Sequence, residues 1–162
     1  DLKGMKIRVQ GSPIALDTLK AMGANSVAMG VSEVFSGMQT GVIDGTENNP
    51  PTFVAHNYLP VVKNYTWSKH FIIPELFLFS KAKWDKLKKE DQELILKLAK
   101  EAQAEQRELW KAYNEKSLQA MKAGGVQFHD IDTKAFYDAT QSVRDKYGNA
   151  HQDLIKRIQD VQ

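Results

Sequence analysis

The stretch Gly41-Val-Ile-Asp-Gly-Thr-Glu-Asn-Asn-Pro-Pro-Thr-Phe53 decides how the chain is read. Val42 and Ile43 suggest a short buried strand, Gly45 a turn, and the double proline the first turn of a helix, where a missing N–H is not needed. Between strand and helix stand Glu47, Asn48 and Asn49, three side chains dense in hydrogen-bonding groups. A polar cluster at a strand end is where open α/β sheets bind ligands. The same residues also suit a plain turn and helix cap, and spacing alone leaves both readings open.

Upstream, Met5-Lys-Ile-Arg-Val9 alternates apolar and polar residues as a strand does. Gly11-Ser12-Pro13 then predicts a turn, with Ser12 as helix cap and Pro13 at the first helical position. Ile14, Leu16, Leu19 and Met22 supply the buried stripe, and Gly23 a left-handed stop. Ser26 to Met29 predicts a second strand and Ser32 to Thr40 a second helix, stopped by Gly41. Strands alternating with short helices through glycine turns argue for an α/β fold, a parallel or mixed sheet flanked by helices.

Downstream, a short helix is expected from Thr52 to Asn57, then strands from Tyr65 to Ile72 and from Glu75 to Phe79. Leu76-Phe-Leu-Phe79 is continuously apolar, which places it inside a sheet with Glu75 at its mouth. A short helix follows from Lys81 to Leu87, and a long one from Asp91 to Ala123 with Leu94, Leu98, Leu109, Trp110, Tyr113 and Met121 close to one face. At about 1.5 Å per residue that helix would span roughly 50 Å, more than the ~30 Å of a small domain. It is therefore expected to reach beyond the body of this domain. Val126 to Phe128 suggests an edge strand, and Thr133 to Tyr147 and Ala150 to Val161 two more helices, the first capped by Asp132 or Thr133 and ended by Gly148.

The 162 residues suit one domain, and 42% hydrophobic content is enough for a sizeable core. Basic and acidic residues nearly balance at 22 against 20, and the first 60 residues show no basic patch, which disfavours nucleic acid as a partner. Without cysteine there is neither a disulfide framework nor a thiol nucleophile, a composition equally suited to cytosol and to an extracytoplasmic bacterial compartment. No apolar run approaches the roughly 18 residues of a membrane span.

Catalytic signatures are missing. Gly11-Ser12-Pro13 lacks the second glycine of a nucleophile elbow, and no phosphate-binding glycine loop occurs. His56, His70, His129 and His151 show no metal-ligand spacing and read as ordinary surface or core residues, so no metal or cofactor is expected. The run Asp44 to Asn49 lacks the alternating ligands of a calcium loop. Arg8 is the stronger lead: a guanidinium at a strand end binds a carboxylate through two parallel hydrogen bonds, although a surface salt bridge would use the same residue.

Several stretches together resemble the solute-binding proteins of TRAP transporters, the DctP-like family. Asp1-Leu-Lys-Gly-Met-Lys-Ile-Arg-Val9 is similar to the family's "LKGLKIRVP", Ala21 to Asn25 to "ALGANP", Ser32 to Phe35 to "GEVY", Gln39 to Asn48 to "LQTGVVDGAEN", and Lys83 to Gln92 to "WDKLSPEDQ". The likeness runs to about Val126 and is weak beyond it. It implies a bilobed, hinged protein with the ligand between its lobes, of which residues 1–162 would be the C-terminal lobe, with the N-terminal lobe absent and a long helix that would span both. A fragment of that kind would be able to self-associate through the face left open.

The resemblance also implies roles. Arg8 corresponds to the arginine that pairs with the ligand's carboxylate and Asn48 to the asparagine that orients the ligand. Asn49 and Glu75 fall where relatives that bind sugar acids place polar contacts, and Glu47, beside Asn48 in the polar cluster, is expected to join them in binding the ligand. Val31 stands where the family often has an aromatic residue, and Gly11-Ser12 departs from a common proline-containing turn. Glu-Asn-Asn-Pro-Pro is most similar to relatives that bind uronates or similar hexose acids. The implied function is periplasmic capture of an organic acid, a uronate or related sugar acid, and its delivery to a TRAP membrane permease. A small α/β enzyme acting on a carboxylate, with Glu47 or Glu75 as base, is the alternative.

Overall fold

The computed structural model describes residues 2–161; Asp1, which opens the family-like segment, lies outside them. Strand β1 (Lys6–Val9) is the centre of a three-stranded parallel sheet, flanked by β2 (Asn25–Ala28) and β3 (Gly45–Thr46) in the order β2-β1-β3. Arg8 stands in register with Val27 on one side and Thr46 on the other. Helix α1 (Pro13–Ala21) returns the chain from β1 to β2, and a 3-10 turn (Val31–Glu33) with α2 (Val34–Gln39) returns it to β3. This is the β-α-β succession that the alternation of apolar periods predicts. A second, two-stranded parallel sheet pairs β4 (Asn64–Trp67) with β5 (Gln127–Asp130). Every described strand pairing is parallel, so the expected choice of parallel or mixed sheet falls to the parallel form.

Two apolar clusters hold these layers. Ile7 and Val9 point from β1 onto Ala15, Leu19 and Met22 of the α1 side. Val34, Ile43, Phe53, Tyr58, Val62, Met121 and Val126 form the other cluster, which joins α2 and α3 (Pro50–Ala55) to the end of α5 (Lys89–Ala123); the short α4 (Lys81–Trp84), expected to run to Leu87, precedes α5 in the chain. Gly23 and Gly41 adopt φ of +99° and +74°, the left-handed stops expected of them.

Helix α5 runs unbroken for 35 residues, about 52 Å at 1.5 Å per residue. Only Ser117 and Met121, near its C-terminal end, are buried. Leu94, Leu98, Leu109, Trp110 and Tyr113 carry the expected stripe but stay exposed, so the helix does project beyond the domain body.

Several expectations are corrected. The strand placed at Val42-Ile43 is Gly45–Thr46, because Ile43 turns into the core beneath α2 while Val42 faces solvent. The strand expected to end at Ile72 stops at Trp67, and Glu75–Phe79 forms no strand. Phe77 and Leu78 are 80% and 79% exposed, so the apolar run lies outside any sheet and Glu75 guards no mouth. Its composition is that of a buried strand, but none of the described residues pairs with it. Ser12 makes no side-chain cap; only its carbonyl accepts, from Leu16 N–H at 3.0 Å. The helix expected from Thr133 to Tyr147 is divided into α6 (Lys134–Ala139) and α7 (Gln141–Gly148). Thr140 interrupts it, its hydroxyl donating back to the Phe136 carbonyl at 2.9 Å. Asp132 Oδ1 accepts from Lys134 N–H at 2.9 Å, whereas Thr133 makes no side-chain cap. The last helix, α8 (Gln152–Gln159), is shorter than expected and is entered through a 3-10 turn at Asn149–His151.

Candidate functional site

In parallel sheets the carboxyl ends of all strands share one edge, so residues that end or follow β1, β2 and β3 converge there. Arg8 comes from β1, Met29 to Val31 follow β2, and Glu47 and Asn48 follow β3. Arg8 is 5% exposed, and its Nε donates to the Met29 carbonyl at 2.8 Å. That bond steers the guanidinium across the end of β2. An open depression lies there, lined by Arg8, Gln10, Gly11, Met29, Gly30 and Val31 among others. Glu33 closes the Gly30 turn by accepting its N–H at 3.1 Å.

On the other flank of Arg8, burial raises the Glu47 carboxyl above its ordinary range, and the nearby guanidinium partly opposes the shift. The two groups therefore share a field without the direct contact of an ion pair among the described salt bridges. Tyr65, from β4, donates its hydroxyl to the Asn48 carbonyl at 2.9 Å and fixes the backbone of the polar cluster. Burial and, secondly, the Glu47 carboxylate push the Tyr65 phenol up to about 12, so it stays a donor at neutral pH. Tyr58 donates to the Val31 carbonyl at 3.3 Å and ties the far rim. Aromatic rings of Tyr65, Trp67 and Phe128 pack on one another behind this wall.

The amide side chains divide their labour. Asn49 is the N-cap of α3: its Oδ1 accepts from Thr52 N–H at 3.0 Å and Thr52 Oγ1 at 2.8 Å. Asn48 Oδ1 accepts from Asn49 N–H at 2.9 Å, and its amide nitrogen makes no hydrogen bond among the described residues. Of the two readings of this stretch, the helix cap is observed at Asn49.

Of the residues singled out in the sequence, Arg8, Glu47 and Asn48 are brought together, and Asn49 adjoins them. Glu75 lies on the exposed run after β4 and makes no hydrogen bond with this cluster among the described residues. A further member carried no sequence signal. His70 comes to the cluster with its Nε2 3.8 Å from Glu47 Oε2, although 23 positions separate the two residues along the chain. Its Nδ1 meets Ser68 Oγ at 2.8 Å, and burial lowers its pKa, so the ring is neutral at physiological pH. Among the described residues there is no group of three or more His, Cys, Asp or Glu arranged to hold a metal ion. The cluster supplies one fixed cation, one carboxylate and several uncharged donors, which suits an anionic, polyhydroxylated molecule.

Comparisons with known proteins agree on one group. A family model described as DctP, bacterial extracellular solute-binding protein, family 7, matches residues 1–150. The chain is 35% identical to the 2,3-diketo-L-gulonate-binding periplasmic protein of Escherichia coli K12, covering 100% of this chain and 51% of that protein. A TRAP periplasmic solute-binding protein from Citrobacter koseri, solved with bound D-glucuronate, is 72% identical with a TM-score of 0.95, over 100% of this chain and 54% of the other. A TRAP periplasmic solute-binding protein from Pseudomonas putida F1, also with bound D-glucuronate, is 54% identical with a TM-score of 0.96, over 100% and 53%. The chain thus spans about half the length of the relatives it matches.

Proposed function

The chain belongs to the DctP family of bacterial extracellular solute-binding proteins, and we propose that it forms one wall of a periplasmic receptor for a hexuronate such as D-glucuronate. In this reading residues 1–162 are the C-terminal lobe, and a second lobe of similar length completes the cleft. The receptor hands its ligand to the membrane permease of a TRAP transporter and does no chemistry on it.

The observation that carries the reading is the placement of Arg8. A buried guanidinium, tied at Nε and set at the carboxyl end of the central strand, is a preorganised anchor for a carboxylate. A lysine at that position would offer a point charge without the planar fork. Asn48 offers an amide donor to a ring hydroxyl, and Glu47 an acceptor. Asn49 contributes through its amide nitrogen, since its oxygen caps α3. Glu75 contributes only if closure with the second lobe orders the exposed run that holds it. Support for the sugar-acid class comes from the relatives from Citrobacter koseri and Pseudomonas putida, both solved with bound D-glucuronate. Burial of apolar run and helix α5 against the second lobe, with closure over the ligand, would exclude water from the Arg8 contact and strengthen it.

A thermal-shift screen of the full-length receptor against D-glucuronate, D-galacturonate, aldonates and four-carbon dicarboxylates tests the proposal. A hexuronate at a hundred times its dissociation constant is expected to stabilise by about 2.7 kcal/mol. A larger shift with a four-carbon dicarboxylate would contradict it.

A further inference from the structure

Gln10 lies one residue past the end of β1, on the same side of the chain as Arg8, because side chains alternate along an extended strand and Ile7 and Val9 take the other face into the α1 core. Both Arg8 and Gln10 line the open depression beside β2. The backbone there is fixed: the Gln10 carbonyl accepts from Ser12 N–H at 2.7 Å, and the Val9 carbonyl from Met29 N–H at 3.2 Å. The Gln10 side chain is exposed and makes no hydrogen bond among the described residues. Unpartnered glutamines are common on surfaces; what distinguishes this one is the depression it shares with a buried guanidinium.

The rest of the lining narrows what suits that space. Gly11 and Gly30 carry no side chain, and nothing lies within 4 Å of where a Cβ on Gly11 would stand, so the wall next to Gln10 is bare. Glu33 is the only carboxylate in the lining among the described residues, and its Oε2 already accepts from Gly30 N–H at 3.1 Å. A second carboxylate on a ligand would meet like charge there. Hydroxyl groups would not. The depression therefore offers one cation, one uncharged amide and one like-charge barrier, a set that fits a molecule with a single carboxylate and an uncharged polar body.

Successive same-face positions on a strand stand roughly 7 Å apart. An acid whose carboxylate sits on the Arg8 guanidinium and whose body extends along the depression therefore brings its ring, not its carboxylate, to Gln10. We infer that Gln10 is a specificity-determining residue of this receptor: its amide hydrogen-bonds one ring hydroxyl of the sugar acid held by Arg8, on the flank opposite Asn48. An amide both donates to a hydroxyl oxygen and accepts from its O–H, so it suits a hydroxyl in either sense. Recognition is thus divided, the cation demanding an acid and the amide a hydroxylated one. This deepens the hexuronate reading and rests on it.

The test is isothermal titration of the full-length receptor, wild type and Gln10→Ala, with D-glucuronate and each of its singly deoxygenated analogues. Gln10→Ala is expected to bind D-glucuronate about three- to tenfold more weakly than wild type, the range of one neutral hydrogen bond. For one analogue, the one lacking the hydroxyl that Gln10 reads, the two proteins should bind alike. Because the side chain is exposed and makes no hydrogen bond among the described residues, the melting temperature should not change. Gln10→Glu, of the same shape but anionic, should weaken the parent acid and every analogue, and the loss should shrink as salt is raised. Unchanged D-glucuronate affinity in Gln10→Ala would overturn the inference, as would an equal loss for every analogue. If wild type binds D-glucuronate and loses it in Arg8→Ala but not in Gln10→Ala, the hexuronate reading stands and this inference alone fails. If wild type binds no hexuronate, both fail.

Discussion

Asn49 and Thr52 are joined twice: Asn49 Oδ1 accepts from the Thr52 backbone N–H at 3.0 Å and from its hydroxyl at 2.8 Å. This closes the first turn of α3 directly after the polar cluster, so the position of Asn48 depends on a cap one residue away.

Two substitutions separate capping from recognition. Asn49→Ala removes the cap and should cost about 1 kcal/mol of stability in urea unfolding. Asn49→Asp keeps an acceptor for Thr52 but loses the amide donor, so it should retain stability while weakening uronate affinity. Equal loss of affinity and stability in both variants would show that Asn49 acts on the ligand only through the fold.

Met121 ties the long helix to the domain. It is fully buried among Phe53, Tyr58 and Val62, near the C-terminal end of α5. Met121→Ala should destabilise the chain by about 2 to 5 kcal/mol in denaturant unfolding, through lost contacts and the cavity left behind. Leu98→Ala, on the projecting and exposed part of the same helix, should change the stability of this chain by under about 0.5 kcal/mol.

The apolar run after β4 should behave differently alone and in the full-length receptor. Phe77 is 80% exposed here, so Phe77→Lys should leave the melting temperature of this chain unchanged and reduce any self-association. In the full-length receptor, where the second lobe is proposed to cover the run, the same change should destabilise by several kcal/mol. Equal neutrality in both proteins would refute the proposed covering.

How much of this was legible in the sequence follows from which contacts are local. The β1–α1–β2–α2 succession was readable because its signals lie within a few residues of their effects: Pro13 at a helix start, Gly23 and Gly41 at stops, Ile7 and Val9 alternating with Lys6 and Arg8. The excess length of α5 was readable for the same reason. Val42-Ile43 misled because an apolar pair does not say whether it enters a sheet or dives beneath a helix, as Ile43 does. Leu76 to Phe79 misled more deeply. Burial is a property of what covers a segment, and here Leu76, Phe77 and Leu78 stay exposed while Phe79 packs on the nearby ring of Trp84. His70 was invisible because its meaning depends on Glu47, a distant residue, and on a left-handed Lys69 that no local rule predicts.

The pH dependence of stability follows from His70. Burial lowers its pKa from the ordinary 6.5, so the folded state holds fewer protons than the unfolded chain between that lowered value and 6.5. Its contribution is complete above 6.5 and is lost as pH falls through this window. Glu47 runs the other way, since its raised pKa lets the folded state take up protons before the unfolded chain does, and acid relieves its burial. His70→Gln removes the first effect and keeps the second. Melting curves at about pH 7.5 and about pH 5.5 should therefore show the variant gaining on wild type at the lower pH. A pH-independent difference would mean that His70 titrates normally.

Arg8 is proposed to anchor the ligand carboxylate, and isothermal titration of D-glucuronate into full-length wild type and Arg8→Ala decides the matter. Leaving the carboxylate without its buried partner should cost about 2 to 5 kcal/mol of binding, roughly thirtyfold or more in affinity. Arg8→Lys should recover only part of that loss. If a folded Arg8→Ala receptor binds D-glucuronate within a few-fold of wild type, Arg8 is not the anchor.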